Sequence, residues 1–398
     1  EIHPKKKNYY KYDQEWKKFE ISRAKLKVKL NNGLVIPLRK KILWSEYGPV
    51  LKNDSGVFSF HLSALENISA IEQWYQMNKA NNFEDFKRAL NIMGIPRFNI
   101  VYADKQDNIF YMSNGLIPLR DTNYNWKLTI PGNSSKTKSN GYYGFKDLPK
   151  LENPISGYIF NTNNSPFNCT EKSNNLKEEN FPKSFGYREK FNNRSLRFEK
   201  IIDGYDKINY EDFLKIKYDQ EYANPIFCPF KINKIFDVTF NDSCEVADIL
   251  SVIQSWDRKA NVDNIGAAQF SMFYKSLRKK LKKINFDFDR EIPDSLLLES
   301  LQKTKNQILR SFDKLNISLG EYQKHVRADV EIPIGGLVDM IAESSSSKYK
   351  DGKVKVVKGD SYIMLVKFGD DLPEIETVLP YGISTVSYTH LTLPTSYA

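Results

Sequence analysis

The amino-acid sequence predicts an α+β fold, in which strands and helices occupy different stretches of the chain. Strand patterns come first, helical patterns dominate residues about 195–320, and strand patterns return at 354–368. Because strands and helices do not alternate regularly, the order argues against a doubly wound parallel sheet. The 398 residues, 40% of them hydrophobic, suffice for one large core or two ordinary ones.

The formal net charge of +10 raises the hypothesis of an anionic partner such as nucleic acid. The basic residues are spread along the chain, however, and 275–283 (KSLRKKLKK) is the one dense run. Within a helical pattern such a run is typical of a solvated face, so we expect no nucleic-acid partner. No stretch of about 18 apolar residues occurs, and no membrane span is expected.

Three cysteines, Cys169, Cys228 and Cys244, lie far apart in the sequence. Their spacing matches no metal-site pattern, and an odd number cannot pair completely within one chain. Three cysteines allow one disulfide within the chain, and none is inferred.

The first strand region, residues 25–51, predicts a hairpin, because Asn31-Asn32-Gly33 separates the runs KLKVKL and LVIPL. Ser63 and Glu66 then fit a capping box that opens a first helix. That helix carries an apolar stripe expected to face a sheet, formed by Leu65, Ile68, Ile71, Trp74 and Tyr75. Asn82 is expected to cap a second helix, with Phe83, Phe86, Leu90 and Met93 on one side.

Strands are predicted at 98–104 and 109–113, followed by a long loop at 121–154 that is rich in Asn, Gly, Ser and Pro. A loop of this length in a compact domain is usually functional. Helices are predicted at 195–202, 210–223, 244–260, 267–281 and 294–315. Asp242 and Glu245 are expected to cap the third of these, whose apolar stripe is Val246, Ile249, Ile253 and Trp256.

Residues 157–166 (GYIFNTNNSP) hold the candidate site. Tyr158, Ile159 and Phe160 predict a strand that ends at three amides, Asn161, Asn163 and Asn164, before Pro166 stops it. Strand ends followed by turns present polar side chains to ligands, because the strand fixes the backbone. The alternative is that these amides only hydrogen-bond their own turn.

Familiar catalytic motifs are missing from the sequence. It contains no GxGxxG, no GxxxxGK[ST], no HExxH and no GxSxG. His61 and His325 are isolated, and a lone histidine is more often structural than catalytic. A complete catalytic constellation is therefore not visible in this chain.

Several segments, taken in order, resemble the penicillin acylase family, which includes penicillin amidases and acyl-homoserine-lactone acylases. They are YGPVL at 47–51, NKANNFEDFKRAL at 78–90, NIVYADKQDNIFYMSNGLIPLR at 99–120, GYYGFKDLPKLENPISGYIFNTNNSP at 141–166, NNRSLRFEKI at 192–201 and SWDRKANVDNIGAAQF at 255–270. Each is short, but the ordered set covers most of 47–384.

The resemblance implies an N-terminal-nucleophile hydrolase with a four-layer αββα core and a helical insertion. Residues 1–384 would then be a partial larger (beta) chain, incomplete at both ends, with its helix-rich part at about 195–320. Residues 385–398 follow no earlier pattern, resemble translated sequencing-adapter read-through, and are interpreted as a non-native tail.

The resemblance also implies an amidohydrolase that cleaves a linear amide through an acyl-enzyme. Its nucleophile is an N-terminal serine freed by autocatalytic cutting, with the α-amino group of that serine as general base. Asn163 matches a side-chain donor to the oxyanion, and Arg197 matches an arginine that supports the site; the alternative for Arg197 is an exposed helix charge. The serine would lie upstream of this chain, and Glu1 has no hydroxyl, so we expect the fragment alone to be inactive.

The implied partners are a small-molecule N-acyl amide substrate and the smaller chain of the same precursor. The family uses no cofactor for catalysis and often holds a structural calcium ion, whose ligands cannot be mapped through residues 167–190. Export to the periplasm or outside the cell is expected by the same resemblance. Two rival hypotheses stay open: an inactive homologue that keeps the fold as a binding module, and a basic nucleic-acid-binding protein.

Overall fold

The computed structural model describes residues 1–65, 67–187, 191–240 and 245–380. The chain divides into two compact units, Glu1–Lys190 and Phe191–Ala398. Each unit combines helices with mainly antiparallel sheets, as the α+β prediction requires. The predicted tail at 385–398 lies outside the described residues, as do Glu66, Asp242 and Cys244.

The first unit is built from three small antiparallel sheets and two helices among its described residues. The elements are β1 (Tyr9–Tyr12), β2 (Glu15–Lys18), β3 (Glu20–Lys29), β4 (Val35–Ser45), β5 (Gly48–Asn53), β6 (Gly56–Ser59), α1 (Ala70–Lys79), α2 (Phe83–Leu90), β7 (Phe98–Ala103), β8 (Ile109–Asn114) and β9 (Lys150–Glu152). β1 pairs with β2, β3 to β6 form a meander, and β7, β8 and β9 form the third sheet.

The predicted hairpin is confirmed as β3–β4. Gly33 adopts a φ of 86°, a left-handed conformation that favours glycine in a tight turn. The Asn32 side-chain oxygen accepts a hydrogen bond from the Leu34 N–H at 3.1 Å, which closes the turn. Turn chemistry therefore fixes the register of the two long strands, with Leu26 opposite Leu38.

The core of the first unit forms where α2 packs on β7 and β8. Asn82 caps α2 as predicted, its side-chain oxygen accepting from the Asp85 N–H at 2.9 Å. The apolar side of α2 and the inward residues of the two strands make one buried cluster, which includes Phe83, Phe86, Leu90, Met93, Ile100, Phe110 and Met112. Helix periodicity and strand alternation agree on this core, and the sequence predicted it.

The predicted orientation of α1 is wrong. The stripe expected to face a sheet is exposed, with Ile68 92%, Ile71 82% and Tyr75 57% accessible. Gln73 is instead the buried residue of the helix. Its amide donates to the Asn114 side chain at 2.9 Å, and its oxygen accepts from the N–H groups of Gly94 and Ile95 at 2.7 and 3.1 Å. A hydrogen-bonded amide thus replaces the apolar stripe as the inward face.

The second unit packs helices against a four-stranded sheet. Its elements are α3 (Asn193–Ile202), α4 (Tyr210–Lys217), α5 (Ala247–Gln254), α6 (Ala267–Lys283), α7 (Asp294–Phe312), α8 (Leu319–Tyr322), β10 (Gln323–Arg327), β11 (Val330–Pro333), β12 (Ser344–Lys348), β13 (Val354–Gly359), β14 (Ile363–Lys367) and β15 (Glu374–Val378). The sheet order is β11-β10-β13-β12, and β14–β15 is a separate hairpin.

The stripe predicted for α5 is confirmed, because Ile249, Ile253 and Trp256 are all buried. The dense basic run at 275–283 lies on α6, where Leu277 and Leu281 face the core and the intervening Lys279 is exposed. That run is therefore a solvated helix face, as its pattern predicted.

Two predicted helices are shorter than expected. The stretches after α4 and α5 leave the helical conformation and pair with each other, with Glu221 opposite Lys259 in an isolated antiparallel bridge. The Ala260 N–H donates to the Gln220 carbonyl at 2.8 Å, and the Tyr222 N–H donates to the Arg258 carbonyl at 3.1 Å. A tertiary backbone pairing here overrides the local helical pattern.

Candidate functional site

An open cleft of about 460 Å³ in the first unit contains the predicted oxyanion donor. Asn163 lines it together with Arg97, Phe98, Asn99, Asn161, Asn164, Ser165, Gly186 and Tyr187. Among these described residues Arg97 is the one that carries a formal charge, and none is acidic. The cleft is therefore polar, rich in amides and electropositive.

The strand predicted at 158–160 is not formed. The Phe160 N–H donates to the Cys169 carbonyl at 2.9 Å, and the Thr170 hydroxyl donates to the Tyr158 carbonyl at 2.7 Å. The segment is thus held by the irregular loop that follows it, and none of the strands among the described residues pairs with it. Loop packing, and not a sheet, therefore fixes the backbone of residues 158–160, which precede the three amides.

The three amides play different parts. Asn161 accepts the Asn163 N–H at 3.1 Å, and Asn164 accepts the Thr162 N–H at 2.8 Å. Asn164 is buried, and its side-chain nitrogen donates to the Asn168 carbonyl. Asn163 is exposed and has a φ of 63°. Asn161 and Asn164 therefore hold the turn, and the left-handed residue between them presents its side chain at the cleft.

A second layer of hydrogen bonds supports this turn from β7 and β8. The Tyr111 hydroxyl donates to the Asn99 side-chain oxygen at 2.9 Å, and the Asn99 amide donates to the Asn164 carbonyl at 3.2 Å. Tyr111 is fully buried, and burial raises its pKa, so the phenol keeps its proton as a donor. Sequence reasoning missed both residues, although they lie in the 99–120 segment that carried the resemblance.

Arg97 gives the cleft its charge and is fixed by two contacts. Its guanidinium donates to the Phe185 carbonyl at 2.6 Å and lies 4.1 Å from the centre of the Tyr187 ring. The Tyr187 hydroxyl in turn donates to Ser113 at 2.7 Å. Sequence reasoning did not single out Arg97, because nothing in its local pattern shows that the loop at 185–187 folds against it.

Arg197 belongs to the second unit, on α3, whereas Asn163 belongs to the first. The guanidinium donates twice to Asp219, at 3.0 and 2.8 Å, and twice to Glu221, at 3.0 and 3.1 Å. Burial opposes its charge, but the hydrogen bond to Asp219 and the charges of Asp219 and Glu221 raise the pKa of Arg197 above its ordinary value. The alternative of an exposed helix charge does not fit, because 14% of the side chain is accessible.

The long loop at 121–154 is ordered by short 3₁₀ turns at Ser135–Thr137 and Phe145–Asp147. Part of it lines a second cavity of about 430 Å³ in the first unit, together with residues from the β3 to β6 sheet. Trp126, Leu128 and Ile130 supply apolar lining from the loop, and Phe58 and Phe60 supply it from the sheet side.

Metal, thiol and membrane features add little to the site. No cluster of three or more His, Cys, Asp or Glu side chains suited to a metal ion occurs within the described ranges, and no calcium ligands are assigned. Cys169 and Cys228 are free thiols, and burial raises the pKa of Cys169 to about 12. None of the helices described is both long and apolar enough to cross a membrane.

The sequence and structure are similar to known acylases. An acyl-homoserine lactone acylase, PvdQ, from Pseudomonas fluorescens is 20% identical over 97% of this chain and 55% of its own length. Penicillin G acylase from Escherichia coli is 28% identical over 170 residues, which are 40% of this chain and 19% of that protein. The chain thus spans about half the length of the PvdQ relatives it matches.

A solved structure of thermostable penicillin G acylase from Alcaligenes faecalis superposes on 98% of this chain and 77% of that one. Its TM-score is 0.61 at 16% sequence identity, which establishes a shared fold. The family model described as penicillin amidase matches residues 1–390. Because that match covers nearly the whole sequence, the chain belongs to the penicillin amidase family.

Proposed function

We propose that the parent protein is an amidohydrolase that cleaves the linear amide of an N-acyl compound into a carboxylic acid and an amine. The observation that carries the proposal is the exposed Asn163 amide, held at the cleft by its two neighbouring amides. Two relatives named for penicillin G and for acyl-homoserine lactones support this substrate class, since both compounds are N-acyl amides.

The chemistry we propose begins with an N-terminal serine upstream of this chain. Its hydroxyl oxygen bonds to the amide carbon while its proton passes to the α-amino group of the same residue. The carbonyl oxygen becomes an oxyanion, and the Asn163 side-chain N–H groups donate to it. The C–N bond then breaks, the amine leaves with the proton, and water hydrolyses the acyl-enzyme.

The charge of the cleft bears on which substrates it favours. Arg97 lines the cleft with Asn163, and no acidic side chain is among the described lining residues. A guanidinium in such a setting attracts carboxylates and forms paired hydrogen bonds with them. We therefore propose that amides that carry a carboxylate are preferred over neutral ones.

For the complete parent we also propose the four-layer αββα core, autocatalytic processing into two chains, and a location in the periplasm or outside the cell. Membership in the penicillin amidase family supports these features. Arg197 is proposed to support the active-site geometry, and its fixed position between two carboxylates is consistent with that role.

The test of Asn163 uses two variants of the full-length, matured parent. Asn163→Ala and Asn163→Gly both remove the amide, and glycine also tolerates the left-handed backbone at this position. We expect both to lower kcat by roughly 100-fold or more, the usual cost of one oxyanion donor. Steady-state kinetics on one N-acyl amide, with thermal unfolding as a check on folding, measures this.

The matched control is Asn8→Ala, because Asn8 also has a left-handed backbone, with a φ of 65°, and does not line the cleft. The kcat of Asn8→Ala should stay within a few-fold of the parent value. This variant also places alanine in a left-handed backbone conformation, but it keeps the Asn163 donor. If Asn163→Gly is folded and turns over at the parent rate, Asn163 is not an oxyanion donor.

A further inference from the structure

The β3–β4 hairpin, residues 20–45, concentrates the positive charge of the chain. Between residues 21 and 45 there is no Asp or Glu. The same stretch holds seven basic residues, Arg23, Lys25, Lys27, Lys29, Arg39, Lys40 and Lys41. With Glu20 included, this cationic ribbon therefore carries a net charge of +6, against +10 for the whole chain.

The strand register collects most of this charge on one face. Arg23 lies directly opposite Lys41, and Lys25 lies opposite Arg39. Lys27 and Lys29 continue the same face, because alternate residues of a strand point the same way. All six are exposed, and none takes part in an ion pair among the described residues. Like charges directly opposite one another destabilise a sheet, so these cation pairs lower the stability of the folded hairpin.

The opposite face of the ribbon is apolar near the turn and also largely in water, with Lys40 opposite Ala24 further from the turn. Leu26 pairs with Leu38, and Val28 pairs with Ile36. Leu26 is 44% exposed and Leu38 is 47% exposed. The turn adds Leu34, which is 56% exposed. The ribbon is thus amphipathic in its turn-proximal half, with a cationic face, an apolar face and an apolar tip.

We propose that the cationic ribbon binds the surface of an anionic lipid bilayer. The apolar face and tip would enter the boundary between headgroups and acyl chains, and the long Lys and Arg side chains would reach the lipid phosphates. Charge complementarity supports this partner, because anionic leaflets attract clustered Lys and Arg side chains. This is peripheral attachment and requires no membrane-spanning segment.

A nucleic-acid partner would explain fewer features of the ribbon than a lipid surface does. It would use the cationic face alone and leave the apolar face in water. Single-strand binding also relies on aromatic side chains that stack on bases. The cationic face has none, since the ribbon's Trp44 lies opposite Glu20 on the other face, where it donates to Ser22 at 3.2 Å.

The test is co-sedimentation of this chain with vesicles of phosphatidylcholine alone or with about 30% phosphatidylglycerol, at several NaCl concentrations. We expect binding to the anionic vesicles only, weakening as salt rises. Lys25→Glu with Lys27→Glu should lower the partition coefficient by about 10-fold or more. Leu34→Ser should weaken binding without abolishing its salt dependence.

The matched control is Lys279→Glu with Lys282→Glu, which changes the net charge equally on the exposed face of α6. This control should bind like the unchanged chain, and far-UV circular dichroism should show that both double variants are folded. If both double variants lose vesicle binding equally, the ribbon is not the binding element. If the chain is retained on duplex DNA and does not bind vesicles, a lipid surface is not the partner of the ribbon.

Discussion

At the scale of single residues, Arg197 is held by four hydrogen bonds to two carboxylates. Asp219 and Glu221 lie 22 and 24 residues further along the chain, where the backbone leaves α4. Paired geometry of this kind fixes a guanidinium more firmly than a single surface contact does. A rigid arginine is what a supporting role in an active site requires.

Arg197→Met should therefore destabilise the second unit. The variant leaves Asp219 and Glu221 without their shared cation, and removing one partner of a largely buried pair costs about 3 kcal/mol. Urea unfolding at neutral pH measures the loss. Arg88→Met is the control, because the Arg88–Asp85 pair on α2 is surface-exposed and worth only about 0.5 kcal/mol. Equal effects in the two variants would show that the Arg197 cluster is no stronger than a surface pair.

Family resemblance in the sequence pointed to Asn163 and Arg197 as candidate site residues, but the sequence did not show their surroundings. The roles of Asn161, Asn163 and Asn164 look equivalent in GYIFNTNNSP. Their roles differ in the structure because the Asn164 side chain donates to the Asn168 carbonyl and the Asn164 carbonyl accepts from the Asn99 amide. Such contacts depend on how loops fold back, and no local periodicity encodes them.

At the scale of elements, α1 shows why periodicity can mislead. Its apolar stripe is genuine but points away from the core of its own unit, whereas Gln73 points inward. A buried glutamine is favourable only when its partners are in place, and here they come from Asn114 and from the backbone at Gly94 and Ile95. None of these partners is near Gln73 in sequence.

Gln73→Leu should destabilise the chain even though leucine is the more hydrophobic residue. The substitution strands the Asn114 oxygen and two buried N–H groups, and each such group costs about 1–3 kcal/mol. We expect a loss of about 3 kcal/mol in chemical unfolding. Gln76→Leu, on the exposed side of the same helix, should change stability by no more than about 0.5 kcal/mol.

A neutral or stabilising Gln73→Leu would mean that α1 packs with its apolar stripe inward, as the sequence pattern indicates. The two variants thus decide between the two orientations of one helix. The ends of α4 and α5 also depart from the local pattern, because the Glu221 to Lys259 bridge replaces predicted helix there. Long-range pairing decides each of these cases.

At the scale of the whole molecule, the order of strands and helices was enough to predict the α+β class. The hairpin at Asn31-Asn32-Gly33, the core under α2 and the buried stripe of α5 were also predictable, because local pattern and tertiary packing agree there. The charge of the ribbon was not recognised. Its cations alternate with apolar residues along the strand, and only the pairing of β3 with β4 brings them onto one face.

The central claim is that the parent protein hydrolyses N-acyl amides through an acyl-enzyme. The most direct measurement incubates the full-length, matured parent with a panel of N-acyl amides, including penicillin G and acyl-homoserine lactones, and records amine release and protein mass. We expect stoichiometric release of acid and amine from at least one amide, with a transient mass increase equal to the acyl group on an N-terminal serine. A folded parent that releases no amine from any of them, or whose processed N-terminal residue is not Ser, Thr or Cys, would contradict the claim.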